Sequence, residues 1–199
     1  CCQSGGVCTA ISHTACNAIS GGAYQGDGIS CFGTFAGGTE YSSANTFPIS
    51  ITDNTPAGVT ATVTIAGSGV TLDSDGIAVK VGLTHSWVGD LIATITNGTS
   101  TATLFFRPGA PTVFDPSDLL GDYFFYDGAT TTFYSAAIAN TVGAITAGDY
   151  SPSSDSNGTP TSLGSIFTGQ PLDGTWTLTV SDNFSGDTGT ITAFSVREA

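Results

Sequence analysis

The stretch HSWVGDL, residues 85–91, contains the residue types of a catalytic dyad. His85 lies five positions before Asp90, and a histidine held by a carboxylate can act as a general base toward a neighbouring nucleophile. The sequence lacks the G-x-S-x-G motif that presents a serine nucleophile at a sharp turn. We therefore predict that His85 and Asp90 hydrogen-bond to the backbone at a corner between strands, with Trp87 buried beside them, and that the chain is not an enzyme.

The acidic residues offer a second kind of chemistry, which is calcium binding. Ca²⁺ takes roughly six to eight oxygen ligands from carboxylates and loop carbonyls, and several loops of this chain contain aspartate interleaved with glycine. No D-x-D-x-D-G loop stands out, so the pattern indicates calcium without defining one ligand set. The candidate ligands are Asp115, Asp118, Asp122, Asp127, Asp182 and Asp187.

The charge of the chain argues against one class of partner. The sequence has 16 acidic residues and only three fixed cations, Lys80, Arg107 and Arg197, which gives a formal net charge of −13. Nucleic acid is bound through lysine and arginine, so we expect no nucleic-acid partner. No apolar run approaches the roughly 18 residues that span a bilayer, and we expect no membrane span.

All five cysteines lie within the first 31 residues. This crowding is typical of exported proteins that fold in an oxidising compartment. The chain starts with cysteine and contains no methionine, as expected after removal of a signal peptide, so we predict an extracellular protein, secreted or at the cell surface. The candidate disulfide residues are Cys1, Cys2, Cys8, Cys16 and Cys31.

Two kinds of site could use these cysteines. A zinc site would need C-x2-C pairs, which the spacing does not provide, although His13 could be a further ligand. Two disulfides are favoured, because a module this short buries too little surface to fold unaided. The odd cysteine is then left free, reactive, or paired with another chain.

Beyond the cysteines the sequence has the patterns of β-strands. The segments VTATVTI (59–65) and IAVKVGL (77–83) alternate apolar with small or polar residues, which predicts one buried and one solvent-facing side. Asn97-Gly98, between two further runs, predicts a hairpin with a type I′ turn. Many short strands and no convincing amphipathic helix predict an all-β fold.

The change of pattern divides the chain into two parts. We predict a small disulfide-rich N-terminal module or extension over 1–31 and a jelly-roll antiparallel β-sandwich over 32–199. Within the sandwich, the long region 107–168 is irregular and rich in aromatic residues. These rings could line a binding surface or pack into the core, and core packing is favoured.

Three N-x-S/T sequons occur at predicted turns, where a glycan would be tolerated. Short matches of this kind also arise by chance in a chain rich in serine and threonine. The candidate glycosylation sites are Asn97, Asn157 and Asn183.

Two motif clusters lie at opposite ends of the sandwich sequence. The first is HSWVGDL, and the second combines a GTW strand opening with a closing D-x-x-x-G-D-T-G. Their residues include His85, Trp87, Gly89, Asp90, Trp176, Asp182, Gly186, Asp187 and Gly189. The clusters resemble those of the P domain, or Homo B domain, of proprotein convertases and bacterial subtilisin-like proteases, in which the first motif is H-T-W/Y-x-G-D-L, with threonine at the position of Ser86.

The P-domain resemblance extends from about Thr46 to Val196 and implies a jelly-roll sandwich that does no chemistry itself. The chain departs from the pattern at Asn97-Gly98-Thr99, where relatives often carry a proline-containing turn, and at Phe194, where tryptophan is common. A separate segment, GGAYQGDGISC, resembles the end of a short Cys-rich repeat found in exported proteins of planctomycete-type bacteria.

Three functions fit these observations. The favoured hypothesis is a non-enzymatic extracellular structural protein, a self-assembling subunit of a filament or surface array joined through its N-terminal segment and strand edges. One alternative is a secreted, calcium-dependent module that binds a glycan or a protein through its aromatic and acidic loops. The other alternative, implied by the resemblance, is an accessory domain of a separate subtilisin-like protease.

Overall fold

The computed structural model describes residues 39–109, 114–140 and 143–199 in full, together with the backbone of residues 2–3 and 22–23. The chain forms two compact units, Cys1–Gly38 and Thr39–Ala199. In the first unit, β1 (Cys2–Gln3) pairs antiparallel with β2 (Gly22–Ala23). The side chains of all five cysteines lie outside the described residues, so the disulfides and zinc alternatives stay predictions.

The second unit is a β-sandwich of two sheets, which confirms the predicted all-β sandwich fold. The seven-stranded sheet contains β3 (Tyr41–Ser42), β4 (Ile49–Ile51), β6 (Ile77–His85), β9 (Asp118–Phe125), β10 (Ala144–Ile145), β11 (Gly148–Tyr150) and β13 (Gly189–Glu198). The four-stranded sheet contains β5 (Thr55–Ile65), β7 (Leu91–Thr96), β8 (Thr101–Phe106) and β12 (Gly174–Asp182), in the order β5-β12-β7-β8. The pairs are antiparallel except that β10 and β11 run parallel to β9.

Alternation of side chains builds the core between the two sheets. On β12, Trp176, Leu178 and Val180 point inward and are fully buried, while the threonines between them face outward. The predicted alternation holds for the four-stranded sheet but is wrong for β6, which is buried on both sides over most of its length. Its second face carries Gly82, where an added Cβ would lie 2.4 Å from Thr192 Oγ1.

Two short helices, not predicted from the sequence, interrupt the long irregular region. They are α1 (Phe133–Ala139) and α2 (Leu163–Phe167), and each begins after a hydroxyl side chain that accepts a hydrogen bond from the first turn. Helices of seven and five residues are too short to show a clear apolar period. No helix among the described residues is long and apolar enough to cross a membrane.

The aromatic residues of this region mostly fill the core, as expected. Phe133 on α1 is fully buried, stacks on Phe105 with ring centroids 4.6 Å apart, and meets Tyr123 and Tyr150 edge to face. The helix is therefore held by its aromatic contacts with the sandwich rather than by its own length.

The predicted hairpin between β7 and β8 is confirmed, but its predicted turn type is wrong. Gly98 has a φ of 86°, whereas Asn97 is not among the residues with positive φ, and a type I′ turn requires both. The side-chain oxygen of Asn97 instead accepts hydrogen bonds from the backbone of Thr99 and Ser100, at 3.0 and 2.9 Å. This local bond stabilises a different turn.

Trp176 provides a test of the core. Its indole N–H donates to the carbonyl oxygen of Leu172 at 2.9 Å, and its ring meets Phe167 edge to face at 5.0 Å. We expect Trp176→Ala to lower the free energy of unfolding by about 3–5 kcal/mol, measured by urea denaturation. Trp176→Phe keeps a ring and should cost less; an alanine variant no less stable than the phenylalanine variant would contradict this packing.

Candidate functional site: the corner around His85

Both sequence motif clusters form crossovers between the two sheets. The chain leaves the seven-stranded sheet at His85, makes a 3₁₀ turn over Val88–Asp90, and enters the four-stranded sheet at Leu91. It returns from the four-stranded sheet after Asp182, the last residue of β12, and enters β13 of the seven-stranded sheet. We call the meeting point of these two crossovers the corner.

Strand pairing brings the two crossovers to the same end of the sandwich. His85 is opposite Gly189 in the β6–β13 pair, and Leu91 is opposite Asp182 in the β7–β12 pair. Motifs separated by about half of the sequence therefore become neighbours. Neither motif alone shows this arrangement.

A buried pair of polar side chains joins the crossovers. His85 Nε2 lies 3.1 Å from Asp182 Oδ2, and both side chains are fully buried. The other ring nitrogen, Nδ1, lies 3.1 Å from the backbone nitrogen of Trp87 and 3.0 Å from its carbonyl oxygen. The second oxygen of Asp182 accepts a hydrogen bond from the N–H of Phe184 at 3.1 Å. The polar atoms of this pair are thus hydrogen-bonded within the protein.

Glycines allow the close backbone contacts of the corner. A Cβ on Gly189 would lie 2.0 Å from the carbonyl oxygen of Thr84, and a Cβ on Gly89 would lie 2.7 Å from the backbone nitrogen of Asp115. Either substitution requires movement of backbone atoms, which is a steric reason for glycine at two of the motif positions. Gly186 has a φ of 128°, a conformation that side chains rarely adopt, and its N–H donates to Asp53.

Asp90 is the second buried acid of the corner, with 2% of its surface exposed. Its carbonyl oxygen accepts hydrogen bonds from the backbone and the side chain of Asn183, at 2.9 and 3.2 Å. Burial, followed by the charge of Asp182, raises the pKa of the Asp90 carboxyl to about 6, although the Arg107 charge opposes this. Asp90 therefore titrates at mildly acidic pH.

Arg107 is a corner residue that the sequence did not reveal. It has a φ of 36°, its Nε donates to the carbonyl oxygen of Gly89 at 3.1 Å, and its guanidinium lies 4.3 Å from the ring centroid of Phe114. Phe114 in turn stacks on Phe184, which is 55% exposed. These residues come from loops without periodic pattern, so no sequence signal connected them with the motif.

The burial of Trp87 differs from the prediction. The side chain was expected to be buried beside His85, but it is only partly buried. Val88, the next residue, is fully buried and points into the core instead. The 3₁₀ turn therefore fills the interior with valine and leaves the tryptophan nearer the surface.

The structure separates the candidate calcium ligands. Asp182 and Asp187 lie at the corner, where Asp187 accepts a hydrogen bond from Ser86 at 2.7 Å. Asp115 contacts the corner through its backbone, because its carbonyl oxygen accepts a hydrogen bond from the N–H of Gly89 at 3.0 Å. The other three lie on β9 or in the loop after it, and no group of three or more acidic, histidine or cysteine side chains suited to a metal occurs among the described residues. The six carboxylates do not form one ligand set there, and calcium binding stays a prediction.

The remaining four carboxylates each have a position or a contact within the protein. Asp122 pairs with Lys80 at 3.0 Å. Asp127 accepts hydrogen bonds from the backbone nitrogens of Leu163 and Gly164, at the beginning of α2. Asp115 accepts from Ser117, and Asp118 begins β9. Their structural contacts account for aspartate at three of these positions.

The three sequons lie in different environments. The side-chain nitrogen of Asn97 donates to Gln170 at 2.7 Å, and that of Asn183 donates to the carbonyl oxygens of Asp90 and Ser181. Asn157 is exposed in a turn held by Asp155. Because the side-chain nitrogen is the atom that carries an N-linked glycan, Asn157 is the sequon with the most accessible geometry.

The second unit is a two-sheet β-sandwich whose crossovers are joined by a buried histidine–aspartate pair. The model of the family described as Proprotein convertase P-domain matches residues 140–198, which include Asp182 and the whole of β13. The second unit is thus a proprotein convertase P-domain-like β-sandwich, as the sequence motifs predicted.

A solved structure was also found to be similar, "Crystal structure of serine protease of Aeromonas sobria". It is 14% identical, with a TM-score of 0.40, over 81% of this chain and 26% of that chain. This chain therefore spans about a quarter of the length of that protease. No curated protein matched the sequence.

The buried contacts of His85 at the corner predict that this residue stabilises the fold. We expect His85→Ala to lower the free energy of unfolding by about 3–5 kcal/mol, because it leaves the buried Asp182 carboxylate without its partner. Urea denaturation followed by circular dichroism measures the change. Ser185→Ala, at an exposed position between β12 and β13 where the hydroxyl makes no hydrogen bond to a described residue, is the control and should stay within about 0.5 kcal/mol of the parent. Equal stabilities of the parent and the histidine variant would exclude this role.

We predict that the free energy of unfolding depends on pH through the Asp90 carboxyl. Its pKa is raised from 3.8 to about 6 on folding, so the folded chain binds the proton more tightly than the unfolded chain. The resulting stabilisation is complete below about pH 4 and is lost as the pH rises through about 6. Asp90→Asn should therefore gain stability relative to the parent between pH 4 and pH 7, measured as melting temperature at each pH. A constant difference across this range would contradict the raised pKa.

Proposed function

We propose that the chain is a non-catalytic accessory domain of an extracellular subtilisin-like protease. The observation that carries this proposal is the match of residues 140–198 to the P-domain model, on the stretch that forms half of the corner. The sandwich fold and the family match support this function better than the self-assembling filament favoured from the sequence. Residues 85–91 supply the other half of the corner and resemble the same family at the level of single residues.

The geometry of His85 supports a non-catalytic role. General base catalysis requires the ring to reach a substrate or a nucleophile within hydrogen-bond distance. Here the side chain is fully buried and both of its nitrogens lie within 3.1 Å of protein atoms. The histidine and Asp182 resemble part of a triad in residue type, but they hold strands together.

The described residues form a depression on the seven-stranded sheet that is much smaller than the pockets that bind small molecules. The best-formed depression found on the described residues lies on the seven-stranded sheet between Lys80, Phe124 and Arg197, and has a volume of about 10 Å³. Binding sites for small molecules usually measure roughly 300–1,000 Å³. A function through contact with a macromolecule fits this surface better.

The filament hypothesis depends on the N-terminal cysteines and on open strand edges, and neither supports it. Its N-terminal cysteines lie outside the described residues. The outer strands of the four-stranded sheet are both partly covered, because Asn45 accepts a hydrogen bond from the backbone of Thr62 and the backbone of Ser153 donates to Leu104. Such covering hinders pairing with a strand of another chain. Self-assembly, calcium and glycan binding remain predictions.

A fluorophosphonate probe, which labels the active serine of serine hydrolases, tests the proposal on native material. The chain is isolated with an antibody under non-denaturing conditions, labelled, and digested for mass spectrometry. We expect a labelled serine on a protease domain that is associated with the chain or continuous with it, and no label within residues 39–199. A label within those residues would show an enzyme, and native material without any labelled protease domain would contradict the accessory role. Heat-denatured material is the control for non-specific labelling.

A further inference from the structure

The outer face of the four-stranded sheet is covered by threonine. Every strand of this sheet contains a T-x-T pattern, and in each case the threonines face outward while the residues between them are buried. We call this surface the threonine face. Its residues are Thr60, Thr62 and Thr64 on β5, Thr175, Thr177 and Thr179 on β12, Thr94 and Thr96 on β7, and Thr101 and Thr103 on β8.

Strand register aligns these threonines into rows across the sheet. Thr179 on β12 is opposite a threonine on each neighbouring strand, and the same holds for Thr177. The two complete rows are Thr60-Thr179-Thr94-Thr103 and Thr62-Thr177-Thr96-Thr101. Thr64 and Thr175 begin a third row, with their hydroxyl oxygens 3.3 Å apart. The result is a regular two-dimensional array rather than a scatter of polar residues.

The spacing of the array follows from sheet geometry. Neighbouring strands lie about 4.8 Å apart, and alternate residues along one strand are roughly 6.7 Å apart. Threonine is branched at Cβ, so its hydroxyl and methyl groups have few rotamers and keep their positions. The face therefore presents hydroxyl groups at fixed and repeated intervals.

Many of these hydroxyls make no hydrogen bond within the part of the chain that the structure describes. Thr96 donates to the carbonyl oxygen of Ser100 at 2.7 Å and is occupied in this way. Six others make no hydrogen bond to any residue that the structure describes: Thr60, Thr94, Thr101, Thr103, Thr177 and Thr179. No charged side chain interrupts the array, although the chain has 16 acidic residues.

The size of the face argues against a stable protein partner. Each outward side chain covers about 4.8 by 6.7 Å, so ten threonines cover roughly 320 Å². A specific protein–protein interface buries about 800 Å² on each partner. A second copy of this chain, or a protease domain, would need a considerably larger contact than this array provides.

The chemistry of the face also argues against a sugar chain. Carbohydrate sites usually stack an aromatic ring on the sugar, whereas the one described aromatic residue bordering the array, Phe106, pairs with Ile92 beyond the Thr94–Thr103 row and on two strands alone. The array presents uncharged hydroxyl and methyl groups at regular intervals. Such a surface can hydrogen-bond to a solid whose water oxygens are also regularly spaced and both donate and accept hydrogen bonds. The distance between strands is close to the shorter repeat of oxygen atoms on hexagonal ice.

We propose that the threonine face binds ice. Hydroxyl groups of neighbouring strands hydrogen-bond to water molecules of the crystal surface, and the methyl groups between them order further water. Adjacent strands of a sheet are rotated by about 20–25° relative to each other, so rows on two neighbouring strands contact a flat crystal plane better than all four strands at once. The inference does not rest on the accessory role proposed above, since it uses the threonines and the register of the four-stranded sheet rather than the family match.

Ice-affinity partitioning of the full 199-residue chain tests the proposal. A slowly growing ice surface incorporates proteins that bind it and excludes others, and we expect the parent chain to enter the ice. Thr177→Lys places a hydrated charge in the centre of the array and should reduce incorporation to the level of an inert protein. Thr130→Lys adds the same charge at an exposed loop position and should enter the ice as the parent does.

Thermal melting followed by circular dichroism shows whether each variant is folded, so that a loss of ice binding can be separated from a loss of folding. A second variant, Thr177→Val, keeps the methyl group and the strand propensity while it removes one hydroxyl, and should reduce incorporation less than lysine does. Exclusion of the parent from ice, or equal incorporation of the parent and a folded Thr177→Lys variant, would overturn the proposal. Binding of the parent to cellulose or chitin that Thr177→Lys abolishes, together with exclusion from ice, would overturn it in favour of a polysaccharide.

Discussion

The sandwich depends on one buried interaction, the contact between His85 and Asp182. An isolated carboxylate in the interior is costly, and the cost is offset only when partners satisfy its oxygens. His85 and the N–H of Phe184 supply those partners at 3.1 Å each. Because each residue ends a strand of a different sheet, this contact sets the positions at which the chain crosses between the sheets. The glycines at 89 and 189 then allow the backbones to meet.

The same contact explains how residue types that are common in catalysis can have a structural role. Histidine and aspartate are useful at a corner for the property that makes them useful in catalysis, which is the ability to form charge-assisted hydrogen bonds. Exposure decides between the two uses, and here the pair is sealed from solvent. The outer surface offers aromatic and hydroxyl contacts instead, at Phe184 beside the corner and on the threonine face of the second sheet.

Much of the fold could be predicted from local pattern and family resemblance, and the rest depended on contacts between distant residues. Alternation predicted β5 correctly, because one side of this strand faces the solvent. It failed for β6, which lies between two other strands and is covered on both faces. The two short helices were missed because capping and aromatic packing, rather than length, stabilise them.

The site was less predictable than the strands. Arg107 and Phe114 could not be placed at the corner from the sequence, since loop conformation brings them there. The candidate calcium ligands were grouped by composition, although the fold does not bring them together as one ligand set.

A double-mutant cycle between His85 and Asp182 tests the central claim most directly. The free energies of unfolding of the parent, His85→Ala, Asp182→Asn and the double variant are measured by urea denaturation under one set of conditions. If the pair joins the crossovers, the cost of the double variant should be smaller than the sum of the single costs by roughly 1–3 kcal/mol. Single costs that add within about 0.5 kcal/mol would show that the two residues act independently, and would contradict the account.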